Sequence, residues 1–212
     1  MICSTSHFHL RNISRIRPFL SAESTERLVH AFITSKLDIG NSLLYGLPDT
    51  QLNRLQRLQN HAARLITKTP VHMHITPVLK ALHWLPVRRR IEFKLLLQVY
   101  RALSDQGPMY ISDLLILNVP SRALRSASQQ QLVVPRTFTA YGDRAFSSAA
   151  TKLWNNLPLW IRCSESIQIF KRRLKTHLFN CAFVNVKPFL SFNCTELLYT
   201  YVVYILWERS SF

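Results

Sequence analysis

The chain has 212 residues, with 27 Lys or Arg against 11 Asp or Glu, and therefore a formal net charge of +16 at pH 7. Apolar residues make up 48% of it, enough to bury a core, which excludes general disorder. Only 4 residues are Gly, which leaves little material for phosphate-binding loops or tight hairpins. We therefore predict an all-α fold, an irregular bundle of about six to eight helices with at most one short strand or hairpin. The charge predicts a polyanionic partner.

The first strong helix signals lie between residues 21 and 68. Hydroxyls and acids at 21–26 precede an apolar run, which predicts a capped helix that ends near Gly40. Asp49 is predicted to cap the next helix, which runs to about Lys68. At 100° per residue its side chains separate into an apolar arc of Leu52, Leu55, Leu58, Ala62, Leu65 and Ile66 and a polar arc of Arg54, Arg57, His61, Arg64 and Lys68.

Prolines mark the next two helix starts. Thr76 is predicted to cap one helix, with Pro77 at its first helical position. Pro86 is predicted to open the next helix in the same way. The helix over 88–103 is apolar almost all round, so we expect it to be the most buried helix of the chain. Its narrow basic strip consists of Arg90, Lys94 and Arg101.

Shorter elements are predicted beyond residue 106. A short helix is expected over 109–117, and the polar stretch 121–131 is typical of a loop. The sequence Leu132-Val-Val-Pro135 is the one strand-like fragment. Asp143 is predicted to cap a further helix, which Pro158 closes.

The last helix and three tryptophans complete the predicted core. Ser164 or Ser166 is expected to cap this helix, whose inner stripe is apolar and whose outer face is basic. Trp84, Trp154 and Trp160 lie inside apolar patterns, so we expect core positions rather than base stacking. The inner residues of the helix are Ile167, Phe170, Leu174 and Leu178, and the outer ones are Lys171, Arg172, Arg173 and Lys175.

Motifs for catalysis, metal binding or cofactor binding are absent from the sequence. It contains no Gly-x-Ser-x-Gly, His-Glu-x-x-His, phosphate loop or Cys-x-x-Cys, and none of its 11 acids is next to another. His72, His74 and His83, with His61 upstream, are the best candidates for zinc, but no nearby Cys or carboxylate completes a ligand set. We therefore predict no enzyme activity, no cofactor and no metal site, and packing or phosphate-facing roles for these histidines.

The stretch between Asp49 and Glu92 contains no acid but eight Lys and Arg residues. A solvated helix face usually carries both signs of charge, so an acid-free stretch repels itself unless an anion compensates. We therefore predict that basic residues here and on the last helix contact nucleic-acid phosphates. The predicted nucleic-acid-binding residues are Arg54, Arg57, Arg64, Lys68, Arg90, Lys94, Arg101, Lys171, Arg172 and Lys175.

The end of the chain has a different composition. Residues 181–212 hold two basic and two acidic residues and are otherwise largely apolar and aromatic, so we separate a tail over 184–212 from the basic region before it. The run 197–207 is uncharged, but Glu196 interrupts any longer stretch, and a membrane-spanning helix needs roughly 17–25 apolar residues. Self-association or membrane contact through 189–207 is therefore kept as an alternative role for the tail.

The cysteines and the first residues bear on cellular location. The four cysteines, Cys3, Cys163, Cys181 and Cys194, show no close pairing, which is typical of reduced thiols. Residues 1–10 contain no uninterrupted apolar region of the kind found in secretory signals. We therefore expect a nuclear or cytoplasmic protein.

Ten short blocks, in one order over about 170 residues, resemble a known family. The chain resembles the C-terminal part of the reverse-transcriptase polyprotein of vertebrate non-LTR retrotransposons, the LINE-type elements of the Jockey, chicken-repeat and L2-like groups. The blocks are Phe8-His-Leu-Arg-Asn-Ile13, Arg27-Leu-Val-His-Ala-Phe32, Asn41-Ser-Leu-Leu-Tyr-Gly-Leu-Pro48, Leu58-Gln-Asn60 with Ala62-Ala-Arg64, His74-Ile-Thr-Pro-Val-Leu79, Leu82-His-Trp-Leu-Pro-Val87, Val133-Val-Pro-Arg136, Gly142-Asp-Arg-Ala-Phe146, Leu153-Trp-Asn155 and Leu174-Lys-Thr-His-Leu-Phe179.

The resemblance implies a segment that follows the polymerase palm, with a thumb-like part over 1–70 and a helical part over 71–183. The family's Tyr-x-Asp-Asp loop, whose carboxylates bind the catalytic metals, is absent, and Tyr141-Gly-Asp143-Arg matches it only superficially. The family commonly shows Asp-Tyr-Cys where this chain has Asp38-Ile39-Gly40. The apolar tail has no match in the family.

The resemblance therefore implies a non-catalytic segment of an RNA-directed DNA polymerase. Its partner would be RNA or an RNA–DNA hybrid, held through phosphates without base readout, and it would have no small-molecule substrate. Two alternatives stay open at this point. One is a domesticated helical module that binds a protein or a second copy of itself, and the other is a membrane-associated protein that uses the tail and the basic helices.

Overall fold

A computed structural model describes residues 2–118 and 129–184 of the chain. The described residues are all-α, which confirms the predicted fold class, and they contain no sheet. The strand-like fragment at 132–135 contributes one isolated antiparallel bridge, between Leu132 and Leu117. Most of the predicted loop at 121–131, and the tail apart from Val184, lie outside the described residues.

The described residues form two compact units. The first unit comprises residues 2–90 and 178–184, and the second comprises 91–118 and 129–177. The divisions fall inside two long helices, α6 (Val87–Leu103) and α11 (Ile167–Phe183).

The first unit is built from helices joined by tight turns. A 3-10 turn (Arg17–Phe19) follows α1, a π-helical segment (His30–Thr34) joins α2 to α3, and a second 3-10 turn (Asn41–Leu44) precedes α4. The helix α1 was not predicted, because its apolar side chains are few. The helices of this unit are α1 (Ile2–Ile16), α2 (Ala22–Val29), α3 (Ser35–Asp38), α4 (Asp49–Thr67) and α5 (Ile75–Ala81), followed by the start of α6.

The predicted ends of two of these helices are largely confirmed. The Ser21 side chain caps α2 by accepting a hydrogen bond from the Ser24 amide at 3.1 Å. The helical run ends at Asp38, close to Gly40, where φ is +63°, a conformation that glycine adopts without strain. The helix α4 also ends as predicted, with Lys68 as a left-handed C-cap at φ +54°.

Two predicted caps in this unit are wrong. Pro48 rather than Asp49 precedes α4, and Asp49 is the first helical residue, where its charge favours the helix N-terminus and forms an ion pair with Arg88. The helix α5 begins at Ile75 instead of after Thr76, because Pro77 fits the first helical turn, which leaves amides unbonded.

The core of the first unit brings together one face from each of its helices. Ile33 and Leu58 are completely buried in it, and Trp84 is 5% exposed, as predicted. Leu10 and Ile13 anchor α1 to it. The buried cluster comprises Leu10, Ile13, Val29, Ile33, Leu37, Leu58, Ala62, Ala63, Ile66, Leu79 and Trp84.

Arg17 stabilises the C-terminal end of α4 through hydrogen bonds. It is 8% exposed, and its guanidinium donates to the carbonyl oxygens of Leu65 at 3.1 Å, Ile66 at 3.1 Å and Leu20 at 2.9 Å. The last carbonyls of a helix have no partner within the helix, so a buried cation there satisfies them and also favours the negative end of the dipole. Sequence patterns did not single out this residue.

The second unit contains shorter helices than predicted. The helix α7 ends at Ser112 rather than near residue 117. Asp143 does not cap the following helix: it is the last residue of α8, and its carboxylate accepts from Lys152 and from Thr137, each at 2.6 Å. The helices after α6 are α7 (Met109–Ser112), α8 (Ala140–Asp143), α9 (Phe146–Asn155), α10 (Leu159–Arg162) and α11, and Pro158 caps the unpredicted α10.

Stacked aromatic rings form the centre of the second unit. Tyr100 on α6 lies 4.2 Å from Phe170 on α11, and Trp154 on α9 lies 5.9 Å from the same ring. Trp154 is 1% exposed, as predicted. Trp160 is not a core residue, since it is 41% exposed and lies 5.9 Å below the Arg173 guanidinium. Ser166 starts α11 by accepting from the Ile169 amide at 3.3 Å, which confirms the predicted cap.

Candidate nucleic-acid interface

The helix α4 separates its apolar and basic side chains onto two faces. Its buried face carries Leu52, Leu58, Ala62, Ala63 and Ile66. The basic residues from Arg54 to Lys68 fall within an arc of about 80° at 100° per residue, and they extend over about 21 Å at a rise of 1.5 Å per residue. The burial of one face therefore directs the other toward solvent.

Three of these basic residues are exposed: Arg54, Arg57 and Lys68. Within residues 2–118 and 129–184 none of the three forms an ion pair. Lys68 stands at the C-terminal end of α4, where a cation is favoured by the helix dipole. We call these three residues the α4 stripe.

Arg64 lies in the same arc but has an internal role. It is half-buried, and its Nη2 donates to the Met73 carbonyl at 3.1 Å. This hydrogen bond ties the turn after α4 back to the helix. Arg64 therefore contributes to the fold of the first unit, and a phosphate would have to compete with the Met73 carbonyl for it.

His61 lies in the middle of the basic arc and is uncharged at neutral pH. Burial lowers the pKa of His61 below its ordinary value of 6.5, and the neighbouring His7 and Arg64 lower it further. The His61 and His7 rings are 5.9 Å apart. A proton on His61 would add a fifth positive charge to the arc only in acid.

The acids in the described part of the first unit all have a basic neighbour. This part contains four acids, and each lies within 4 Å of an Arg or His side chain. Three of the four form ion pairs with arginines, so among residues 2–90 and 178–184 none of these three is free to neutralise the α4 stripe. The pairs are Glu23 with Arg27 at 2.6 Å, Glu26 with His30 at 3.5 Å, Asp38 with Arg90 at 3.0 Å, and Asp49 with Arg88.

Arg90 is a predicted phosphate-binding residue whose side chain makes its contacts inside the protein. Its side chain is 15% exposed, and Nη1 donates to both Asp38 carboxylate oxygens at 3.0 Å. Its Nε donates to the Leu85 carbonyl at 3.1 Å, and its guanidinium lies 5.9 Å from the Trp84 ring. These contacts leave Arg90 little capacity for a phosphate.

The remaining predicted nucleic-acid-binding residues belong to the second unit. Lys94 and Arg101 are exposed on α6, seven residues apart and so on the same side of that helix. On α11, Arg172 is exposed whereas Lys171 and Lys175 are half-buried. The described part of this unit has ten Lys or Arg and five Asp or Glu, so its charge is less one-sided than that of the first unit.

Two exposed aromatic residues of the second unit were not predicted as functional. Phe138 is 90% exposed and Tyr141 82% exposed, and the Arg144 guanidinium lies 6.0 Å from the Tyr141 ring. Exposed rings beside cations are the groups on which single-stranded bases stack. Their exposure could not be predicted from the sequence, because aromatic residues of this chain also form both cores.

The described residues show no metal site and no membrane-spanning helix. No three His, Cys, Asp or Glu side chains come together as metal ligands in the described ranges. No helix within those ranges has both the length and the apolar character needed to cross a membrane. Comparison with protein-family models, with curated proteins and with solved structures finds no match to this chain.

Proposed function

We propose that this chain is a non-catalytic fragment of a LINE-type retrotransposon reverse transcriptase that binds the backbone of RNA or an RNA–DNA hybrid. The ten sequence blocks support the family origin. The observation that carries the binding function is the α4 stripe, three exposed cations on one helix face, in a unit where three of the four described acids are paired with arginines.

The spacing of the stripe suits a polyanion rather than a single small anion. The stripe extends over about 21 Å of helix, and a nucleic-acid duplex carries one charge per about 1.7 Å of its axis. Arg and Lys on phosphates release condensed counterions and carry no sequence information. The binding is therefore salt-dependent and nearly independent of sequence.

A direct test measures the affinity of the purified chain for two short RNA–DNA hybrids of equal length and unrelated sequence. Fluorescence anisotropy at one fixed salt concentration gives both affinities. We expect them to agree within about threefold, because each correct base contact would add roughly 1–3 kcal/mol of discrimination. A large preference for one sequence would contradict backbone binding.

The proposal assigns no catalytic role to the single acid of Tyr141-Gly-Asp143-Arg. The Asp143 carboxylate is occupied by Lys152 and Thr137, and the hydrogen bond from Lys152 is the main cause that lowers the pKa of Asp143. Nucleotidyl transfer by two metals needs paired carboxylates. The purified chain should therefore add no nucleotide to a primer, and extension that exceeds a mock preparation would overturn this part of the proposal.

A further inference from the structure

Two aromatic side chains of the second unit lie close together in the chain and are almost fully exposed. Phe138 precedes α8 and is 90% exposed, and Tyr141 lies within that helix and is 82% exposed. Single apolar residues scattered over a protein surface are ordinary. These two rings, however, are three residues apart, so their Cα atoms are separated by at most about 11 Å. We call the pair the aromatic platform.

Hydrogen bonds hold the backbone on both sides of the aromatic platform. The Thr139 hydroxyl caps α8 by accepting from the Gly142 amide at 3.0 Å. The Asp143 carboxylate accepts from the Thr137 hydroxyl and from the Lys152 ammonium, each at 2.6 Å. The short segment that carries the two rings is thus tied to itself and to α9. A ligand that stacks on the rings therefore loses less affinity to the ordering of the chain.

The charges near the aromatic platform favour an anionic partner. Arg136 is exposed and forms no ion pair among the described residues. The Arg144 guanidinium lies 6.0 Å from the Tyr141 ring, which stays largely exposed beside it. Asp143 is the only acid in the sequence from 114 to 164, and its carboxylate is paired with Lys152. The segment therefore combines two exposed rings with two arginines and a carboxylate that is already occupied.

We propose that the aromatic platform binds the unpaired bases of single-stranded nucleic acid. Phe138 and Tyr141 stack on bases, and Arg136 and Arg144 attract the neighbouring phosphates. An RNA–DNA hybrid keeps its bases inside the duplex, so the platform goes beyond the proposed function by adding a site for a strand that is not paired. Stacking tolerates any base, because every base has a π-face. The site is separate from the α4 stripe, since its residues all belong to the second unit.

The test compares two single strands that carry the same number of phosphates. One is a short oligothymidylate, the other is an abasic backbone of equal length, and fluorescence anisotropy gives the affinity of the full chain for each. The phosphates contribute to both affinities, so the ratio of the two reports contacts with the bases. We expect oligothymidylate to bind about 30-fold more tightly, since two rings each contribute about fivefold or more. A ratio near one, or no binding of either strand, would overturn the proposal.

The same ratio separates this inference from the proposed function. If the platform binds bases but the α4 stripe binds no duplex, the ratio stays high while the RNA–DNA hybrid is not bound. If the stripe binds the hybrid but the platform binds no base, the hybrid is bound and the ratio is near one. The second result overturns the platform alone.

Phe138→Ala combined with Tyr141→Ala removes the aromatic platform, and Met109→Ala combined with Tyr110→Ala is the matched control. The control side chains are 80% and 69% exposed on α7 of the same unit. We expect the platform variant to bind oligothymidylate about 30-fold more weakly than the wild type and the abasic strand equally well. The control should bind both strands as the wild type does. An equal loss in the control, or a high ratio that survives in the platform variant, would overturn the proposal.

Two further measurements keep the test decisive if the platform variant does not fold. Phe138→Tyr combined with Tyr141→Phe keeps both rings and should bind oligothymidylate as the wild type does. In the unmodified chain, ultraviolet light cross-links an oligothymidylate that contains 4-thiothymidine. Trypsin then cleaves after Arg136 and Arg144, and mass spectrometry identifies the peptide 137–144. Cross-links to this peptide are the expected result, and cross-links confined to other peptides would overturn the proposal.

Association of two copies of the chain through the exposed rings is the competing explanation. Sedimentation velocity compares the wild type with the platform variant in the absence of nucleic acid. If the rings join two copies, the wild type sediments as a dimer, the platform variant sediments as a monomer, and the affinity ratio is near one. That combination would overturn the proposal, whereas the same sedimentation of both proteins with a high ratio in the wild type supports it.

Discussion

Replacing Arg54, Arg57 and Lys68 together by Gln removes the three positive charges of the α4 stripe. All three side chains are exposed and have no ion pair within the described residues. Gln has nearly the helix propensity of Arg at positions 54 and 57, and Lys68 follows the last helical residue as the C-cap. The stability of the fold should therefore change by no more than about 0.5 kcal/mol at each position.

The effect on binding follows from counterion release. Each phosphate contact contributes about 0.7–0.9 to the steepness of the plot of log affinity against log salt. The slope of the triple variant should therefore be shallower than that of the wild type by about 2 to 3. Between 50 and 200 mM salt this loss alone changes the ratio of wild-type to variant affinity by about 16- to 64-fold. Anisotropy of a labelled RNA–DNA hybrid measures both slopes.

The matched control removes the same charge from other exposed sites of the first unit, Arg11, Arg15 and Lys80. If the stripe makes the contacts, this control lowers the slope much less than the stripe variant does. An equal loss of slope in the two variants would refute the reasoning, because net charge rather than the α4 face would then determine affinity.

Three further predictions concern single features of the fold. Arg17→Met should lower the free energy of unfolding by at least about 2 kcal/mol in a urea titration, because three buried or partly buried carbonyls lose a charged donor. Because the pKa of His61 is lowered in the folded chain, the unfolded chain binds more protons than the folded chain once the pH falls below 6.5. The free energy of unfolding is therefore unaffected by His61 above pH 6.5, and it declines as the pH falls toward the folded-state pKa. In His61→Gln, the melting temperature should decline less as the pH is lowered. If the melting temperature of the variant depends on pH as that of the wild type does, other groups cause the decline. The Lys171, Arg172 and Lys175 triple change to Gln should lower the salt slope less than the stripe variant, because two of its three side chains are half-buried.

The faces of α4 were predictable because a single helix determines them. Its leucines recur at helical spacing, so the same pattern that predicted the buried arc also placed Arg54 and Arg57 outside. The long helix α6 was predictable on other grounds, since its residues are apolar almost all round and Pro86 precedes them. Local sequence also determined the end near Gly40, since its left-handed backbone favours glycine.

The roles of the other arginines depend on contacts far along the chain. Arg90 pairs with Asp38, which is 52 residues away, and Arg17 donates to carbonyls 48 and 49 residues away. The spacing of residues within one helix does not show which distant residue a side chain will contact. Arg162 resembles any basic residue at a helix end until its burial is known.

The short helices show a second limit of sequence patterns. The helices α8 and α10 have four residues each, too few for a repeating apolar stripe. Trp154 and Trp160 both lie in apolar surroundings in the sequence, yet only Trp154 is in the core, because the turn between α9 and α10 redirects the chain between them.

The salt dependence of the wild-type chain tests the central claim most directly. The affinity for a short RNA–DNA hybrid is measured by anisotropy at salt concentrations between about 50 and 400 mM, a range over which phosphate contacts change affinity strongly. Contact by the three stripe residues predicts a straight line of log affinity against log salt with a slope of about −2 or steeper. A flat line, or no binding at the lowest salt, would contradict the account.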